Sequence, residues 1–216
     1  MEKNALEKKS TVGNETVKTR GDIDRKLGII VDALKKDNIL LVATQECERN
    51  SALRRIQTLL KEKQEDYLVI FIDVNDVNTP GEFLIEILFG AFTAAENKNL
   101  FTETIKNAFC QKTELLESES SLEQSDFNLK PLLKEEITED NWKEEGGNVF
   151  TFIQDYFNRS ICIIIDDFTK CVHNLSRKDN RQAEIFLKFL RSTRAREDKI
   201  RFILSGSMGI HEVVMR

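Results

Sequence analysis

The sequence predicts an α/β domain with a mainly parallel sheet that is covered by helices on both faces. Two observations support this fold class. Four apolar runs have the length and β-branched content of buried strands, and segments with helical periodicity separate them. Strands that alternate with helices form parallel sheets through right-handed crossovers. The four runs are "ILLVA" from Ile39, "YLVIFIDV" at 67–74, "SICIIIDDF" at 160–168 and "KIRFILSGS" at 199–207.

The helices are predicted from the spacing of apolar residues and from one proline. "DIDRKLGIIVDALKKDN", from Asp22, leads into the first strand, and "SALRRIQTLLKEK" follows it. "TPGEFLIEILFGAFTAAE" follows the second strand and has Pro80 at a typical helix start. "GGNVFTFIQDYF" leads into the third strand, and "RQAEIFLKFLRSTRARE" leads into the fourth. Each predicted strand is therefore next to a helix in the chain.

The chain is long enough for one domain with a core of its own. Residues 1–20 are polar, mixed in charge and aperiodic, which predicts a disordered or loosely attached arm. Residues 21–216 are expected to form the domain. Between the second and third strands acidic residues outnumber lysines and apolar residues are sparse, so we expect a solvated acidic insertion at about 113–147.

Composition excludes several classes of protein. A formal net charge of -5 argues against a general affinity for nucleic acids or membrane surfaces. No stretch approaches the ~18 apolar residues of a membrane-spanning helix, and the N-terminus lacks the apolar core of a signal peptide. The four cysteines have no CxxC spacing, which is typical of reduced thiols, so we expect a cytoplasmic protein. They are Cys47, Cys110, Cys162 and Cys171.

Polar residues follow three of the predicted strands. "ICIIIDD" ends in Asp166 and Asp167, a pair that can order the water shell of a magnesium ion and activate an attacking water. "FILSGS" ends in Ser205, Gly206 and Ser207, which would face the same crevice at the carboxyl ends of the strands. Each feature alone is also explained by a capped turn or a helix entry. Their order along the chain favours a nucleotide site.

These residues resemble the archaeal-type ATPase family, within the AAA+ and STAND branch of P-loop NTPases. The resemblance covers roughly residues 20 to 216 apart from the acidic insertion, and it is carried by "YLVIFIDVNDVNTPGEFLIEIL", "ICIIIDDF" and "IRFILSGSMGI". It implies a P-loop NTPase-like three-layer sandwich with a mainly parallel sheet. It also implies that Asp166 is the magnesium-binding Walker B aspartate, that Asp167 takes the place of the catalytic glutamate, and that Ser205 lies in the sensor strand.

The chain departs from that family at the phosphate-binding loop. A Walker A loop, G-x-x-x-x-G-K-[ST], needs glycines so that backbone N–H groups point at the phosphates, and a lysine that reaches them. Here Glu46 and Glu48 place negative charge in that cradle, and the planar fork of Arg49 replaces the compact lysine ammonium. The segment reads Ala43, Thr44, Gln45, Glu46, Cys47, Glu48, Arg49, Asn50 and Ser51. We therefore expect that this loop keeps its position in the fold but no longer binds the phosphates of a nucleotide. We expect no cofactor.

A second departure concerns the end of the sheet. The family sheet has five strands in the order 5-1-4-3-2 and is followed by a helical lid, and by this resemblance the chain lacks both the fifth strand and the lid. The first strand would then lie at an edge with unpaired backbone groups. We expect a protein partner, self-association or the amino-terminal helix to cover it. Equally, the sequence is consistent with a piece of a longer protein.

A basic surface is predicted on the last helix. Its residues are Arg181, Lys188, Arg191, Arg194 and Arg196. We interpret this surface as a solvated outer face of the helix. The alternative is that it binds an acidic partner or the acidic insertion of the same chain, and binding of nucleic acid is not expected.

The function expected from these features is that of a degenerate ATPase-like domain, a catalytically impaired binding or regulatory module. The alternative is a working ATP-dependent switch with slow hydrolysis. In that case Asp166 holds magnesium, Asp167 polarises the water, and the loop from Ala43 to Ser51 holds the phosphates of ATP.

Overall fold

The computed structural model of the chain describes residues 20–34, 36–42, 46–63, 67–109, 129–197 and 199–206. These residues form helices and strands that alternate much as the sequence predicts. The helices are α1 (Arg20–Leu34), α2 (Glu46–Lys63), α3 (Pro80–Ala94), α4 (Lys98–Phe109), α5 (Leu129–Glu136), α6 (Trp142–Phe157), α7 (Phe168–Lys178) and α8 (Asn180–Arg196). The strands are β1 (Ile39–Val42), β2 (Tyr67–Asp73), β3 (Ser160–Asp166) and β4 (Ile200–Gly206).

The four strands form one parallel sheet in the order β1-β4-β3-β2. This confirms the predicted α/β class and parallel sheet, and the described part of the fold is a P-loop NTPase-like sandwich. The strands also end together, because Val42 is level with Gly206 and Asp73 is level with Asp166. Residues that follow the strands are therefore gathered at one edge of the sheet.

The central strand β3 is buried on both faces. Cys162 and Ile164 point to the face covered by α1 and α2, whereas Ile161, Ile163 and Ile165 point to the face covered by α3 to α8. Successive side chains of a strand point to opposite faces, so a strand between two helical layers must be apolar at nearly every position. This explains the unbroken "ICIII" of the sequence.

Aromatic side chains fill much of the space between α3, α6 and α8. Phe83 and Phe186 meet edge to face with their ring centroids 4.9 Å apart. Trp142 packs edge to face on Phe189 at 5.3 Å. Each such pair stabilises the fold by about 0.5–1.5 kcal/mol beyond the contribution of the apolar area that it buries.

Residues 129–147 of the predicted acidic insertion form α5 and the start of α6. Leu129 and Leu133 are buried in the core, and α5 is tied to α3 by Lys130, whose ammonium lies 2.7 Å from Glu86. Trp142, the first residue of α6, is also buried. Residues 1–19 of the predicted arm and the predicted start of the insertion, at about 113, lie outside the described residues, whereas the predicted end of the insertion, at about 147, falls within α6. The division of the chain into arm, domain and insertion stays a prediction.

Helix α2 begins at Glu46, five residues before the predicted "SALRRI" segment. Only residues 43–45 lie between β1 and α2. The reason is local: the segment has no glycine to favour a loop, and acidic residues such as Glu46 and Glu48 are stabilising near the positive end of the helix macrodipole.

Among the strands that the structure describes, β1 lies at the edge of the sheet, as predicted. Its residues alternate between half-buried and exposed, and the exposed pair is Leu40 (46% exposed) and Val42 (38%). Helix α1 covers one face of this edge with Leu27, Val31 and Leu34. None of the helices among the described residues combines the length and apolar character needed to cross a membrane.

Candidate functional site

A polar cluster lies where the carboxyl ends of β3 and β4 meet the first turns of α2. Asp166 is the last residue of β3, Ser205 lies one residue before the end of β4, and Arg49 is the fourth residue of α2. All three are buried, Arg49 being 4% and Asp166 7% exposed. Three elements far apart in the sequence thus bring opposite charges together in the interior.

One oxygen of Asp166 accepts three hydrogen bonds. Its Oδ1 accepts from the hydroxyl of Ser205 at 2.6 Å, from the backbone N–H of Asp167 at 2.9 Å and from Nε of Arg49 at 2.9 Å. Hydrogen bonds that involve an ionised group are the stronger kind. The predicted Walker B aspartate is therefore fixed by β4, by its own strand end and by α2.

The guanidinium of Arg49 bridges both aspartates. While Nε binds Asp166, Nη2 lies 2.6 Å from Oδ1 of Asp167. The planar fork of arginine suits this arrangement, because it presents several N–H donors in fixed directions. The positive charge that faces this carboxylate pair is thus supplied by the chain itself.

Asp167 has left-handed backbone angles, φ 55° and ψ 30°. Aspartate is one of the few residues other than glycine that visit this region, and such conformations cluster at functional sites. Its carbonyl accepts from the N–H groups of Lys170 and Cys171, which starts α7. Its side chain does not cap that helix and points to Arg49 instead.

The end of β4 touches α7 closely. A Cβ added to Gly206 would lie 2.1 Å from Cγ2 and 2.5 Å from Oγ1 of Thr169. Real Cβ atoms do not approach other atoms so closely. Gly206, the last residue of β4, therefore permits close packing between β4 and α7, next to Ser205.

The residues of the predicted phosphate-binding loop differ in burial and in the groups that they contact. Residues 43–45 and the side chain of Glu46 lie outside the described part of the chain. Arg49 reaches the aspartates, and Oδ1 of Asn50 is buried without a hydrogen-bond partner in the described structure. The exposed residues are Cys47, Glu48 and Ser51.

The bridge between Arg49 and the two aspartates was not predicted from the sequence. A signal was present, since a basic residue stands where a phosphate-binding lysine is expected, and a strand ends in two acids. Within the described ranges, no three His, Cys, Asp or Glu side chains group around a possible metal position.

The strand order and the two helical layers are those of a P-loop NTPase-like α/β sandwich. No protein-family model matches the sequence, and no curated protein matches it. Among solved structures, the chain is similar to one in "Structure of Drosophila ORC bound to DNA", with a TM-score of 0.43 and 7% identity. The match covers 100% of this chain and 50% of that chain, so this chain spans half its length. A likeness of this size carries no functional argument.

Proposed function

We propose that this chain is a degenerate AAA+/STAND-type ATPase-like domain, in which Arg49 closes the nucleotide site from within. In this proposal the domain takes up no ATP and no magnesium. It acts as a binding or regulatory module through contacts with protein. The observation that carries the proposal is the bridge from Arg49 to Asp166 and Asp167.

The first support is electrostatic. A magnesium ion at Asp166 would have to replace the guanidinium, because two cations cannot share one buried carboxylate pair without strong repulsion. Breaking a buried ion pair by removing one partner costs about 3–5 kcal/mol. A cost of about 3 kcal/mol corresponds to roughly a hundredfold weaker affinity for the magnesium complex of a nucleotide.

The second support is the start of α2. A phosphate cradle needs several consecutive backbone N–H groups that bend around the ligand, and glycines permit that bend. Here the helix begins at the fourth of the eight motif positions, Glu46, so that helical geometry takes up positions that a cradle requires. Glu48 is exposed in the first turn and adds a negative charge that repels phosphate.

The partner belongs to the proposal as well. A module without catalysis has to act by binding, and the edge of β1 with its exposed Leu40 and Val42 is the surface suited to this. Edge strands present unpaired N–H and C=O groups that accept a further strand.

The proposal is tested by titration calorimetry with ATP and magnesium. We expect no heat from the folded native chain at nucleotide concentrations up to about 1 mM. The double substitution Glu48→Gly and Arg49→Lys is expected to create affinity, because it restores a flexible backbone and frees the aspartates. Adding Asp166→Ala to that double variant should remove the new affinity.

Two results would overturn the proposal. One is micromolar binding of ATP by the native chain that Asp166→Ala weakens. The other is ATP hydrolysis by the native chain that Asp167→Asn abolishes. Either result would establish the alternative, an ATP-dependent switch.

A further inference from the structure

Basic side chains are concentrated at the end of α7 and on the outer side of α8. Between residues 177 and 196, six basic and two acidic side chains are exposed in the part of the chain that the structure describes, although the whole chain has a formal net charge of -5. Those on α8 lie mainly on the side away from the buried Ala183 and Phe186. We call this surface the basic face, and its basic residues are Arg177, Lys178, Arg181, Lys188, Arg191 and Arg196.

Most of this positive charge has no acidic partner. Asp179 is engaged in capping the start of α8, where its side chain accepts two backbone hydrogen bonds. Glu184 lies 3.9 Å from Lys188, and Glu197 pairs with Arg196 at 2.9 Å. Within the described ranges, the other four basic side chains of the face form no ion pair, namely Arg177, Lys178, Arg181 and Arg191.

The fold gains little from these charges. Arg177 and Lys178 stand in the last turn of α7, where the helix dipole favours a cation, but Arg181 stands in the first turn of α8, where the dipole opposes one. Arg191 lies three residues after Lys188, and like charges at this spacing repel each other. A bound anion would relieve both effects.

We propose that the basic face binds an acidic segment of a partner protein. The guanidinium fork of arginine suits a carboxylate, with which it can form two parallel hydrogen bonds. The distance along α8 from Arg181 to Arg191 is about 15 Å, the length of about five residues of extended chain. A short extended segment with acidic residues at alternate positions therefore matches the face in length and in charge.

Two observations favour a protein over a nucleic acid as the partner. No exposed aromatic side chain, on which a base could stack, lies among the described residues from 177 to 196. The negative net charge of the chain also opposes the approach of a long polyphosphate. The inference goes beyond the proposed function, because it adds a surface other than the edge of β1 and states the charge of what binds there.

The test is fluorescence anisotropy of the full chain with a labelled peptide of about ten residues in which glutamate alternates with serine. In an extended peptide these glutamates point to one side. We expect binding at low salt with a Kd of about 10–100 μM, and added salt should weaken it because exposed ion pairs are screened. The same peptide with glutamine in place of glutamate should not bind. No nucleotide is present, so this proposal and the proposed function fail separately.

The decisive variant combines Arg181→Glu with Arg191→Glu, and we expect it to weaken binding of the peptide about tenfold or more. Both side chains are exposed, so the variant should fold, and its urea midpoint checks this. The matched control combines Lys61→Glu with Lys106→Glu, at exposed positions on α2 and α4. It changes the net charge by the same amount and should leave binding within about twofold of the native chain.

The proposal is overturned if the native chain does not bind the glutamate peptide. Equal binding of the glutamine peptide, or an equal loss in the two double variants, overturns it as well. A labelled DNA duplex that binds more tightly than the peptide, and that the variant of Arg181 and Arg191 no longer binds, would assign the face to nucleic acid. Binding that appears only after the acidic residues of 113–126 are neutralised would assign the face to the chain's own segment. Both of these results also contradict the proposal.

Discussion

Replacing Arg49 with methionine is the most informative test of the buried ion pair. Methionine keeps a long apolar side chain, so the packing of α2 against the sheet changes little, while the positive charge disappears. Asp166, only 7% exposed, and Asp167 then lose their ion pairs with Arg49. The variant is therefore expected to be less stable, and the free energy of unfolding measures by how much.

The contacts of Asp166 set the size of this effect. Leaving a buried charge unpaired costs about 3–5 kcal/mol. Asp166 keeps its hydrogen bonds from Ser205 and from the N–H of Asp167, so the low end, about 3 kcal/mol, applies. With an unfolding slope of about 2 kcal/mol per molar urea, the midpoint should fall by about 1.5 M.

The assay is urea unfolding followed by circular dichroism and by the fluorescence of the buried Trp142. A second variant, Arg49→Met with Asp166→Asn, removes both charges and should regain more than half of the lost stability. The energies of the two single substitutions should therefore not add.

Two results would refute this reasoning. One is a midpoint shift below about 0.3 M for Arg49→Met, which would place the guanidinium in solvent rather than on the aspartates. The other is strict additivity in the double variant, which would mean that Arg49 and Asp166 do not interact.

Two further predictions concern packing and cysteine chemistry. Gly206→Ala should destabilise the fold by about 1–3 kcal/mol in the same urea assay, because the new Cβ meets Thr169, and Thr169→Ala should restore part of the loss since the two closest atoms are then gone. Burial, with a smaller contribution from a nearby glutamate, raises the pKa of Cys171 to about 12, and burial also raises the pKa of Cys162. Both thiols therefore stay protonated at neutral pH. In a variant in which Cys110 is replaced, maleimide should label the exposed Cys47 alone until the protein is unfolded. Mass spectrometry that finds Cys162 or Cys171 labelled in the folded chain would contradict this.

Much of the fold could be predicted because its strands carry a strong signal. β3 reads as an unbroken apolar run because it lies between two helical layers, and the observed order β1-β4-β3-β2 agrees with the order that the family resemblance implies. The start of α2 was harder to predict, because the residues from Glu46 onward suit either a loop or a first helical turn. Trp142 and Leu129 belong to the core although charged residues surround them in the sequence, so local composition conceals their burial.

The site was predicted in its parts and not in its arrangement. Asp166 and Ser205 were expected at adjacent strand ends, and they form a hydrogen bond. From the sequence, Arg49 was considered only as a replacement for the phosphate-binding lysine. Its partners in the structure are instead two aspartates that lie more than a hundred positions further along the chain. Such a pair depends on the direction of side chains across three elements, which a linear pattern does not contain. The left-handed backbone of Asp167 is equally invisible in the sequence.

The central claim is that Arg49 occupies the carboxylate pair and keeps a magnesium nucleotide out. Its most direct test is the NMR signal of the Arg49 Nε–H group, assigned with the Arg49→Lys variant. A buried N–H that donates to Asp166 should exchange slowly with solvent, disappear from its position in Asp166→Asn, and stay unchanged when ATP and magnesium are added. A signal that shifts or vanishes on addition of ATP and magnesium would contradict the account, because it would mean that the nucleotide displaces the arginine.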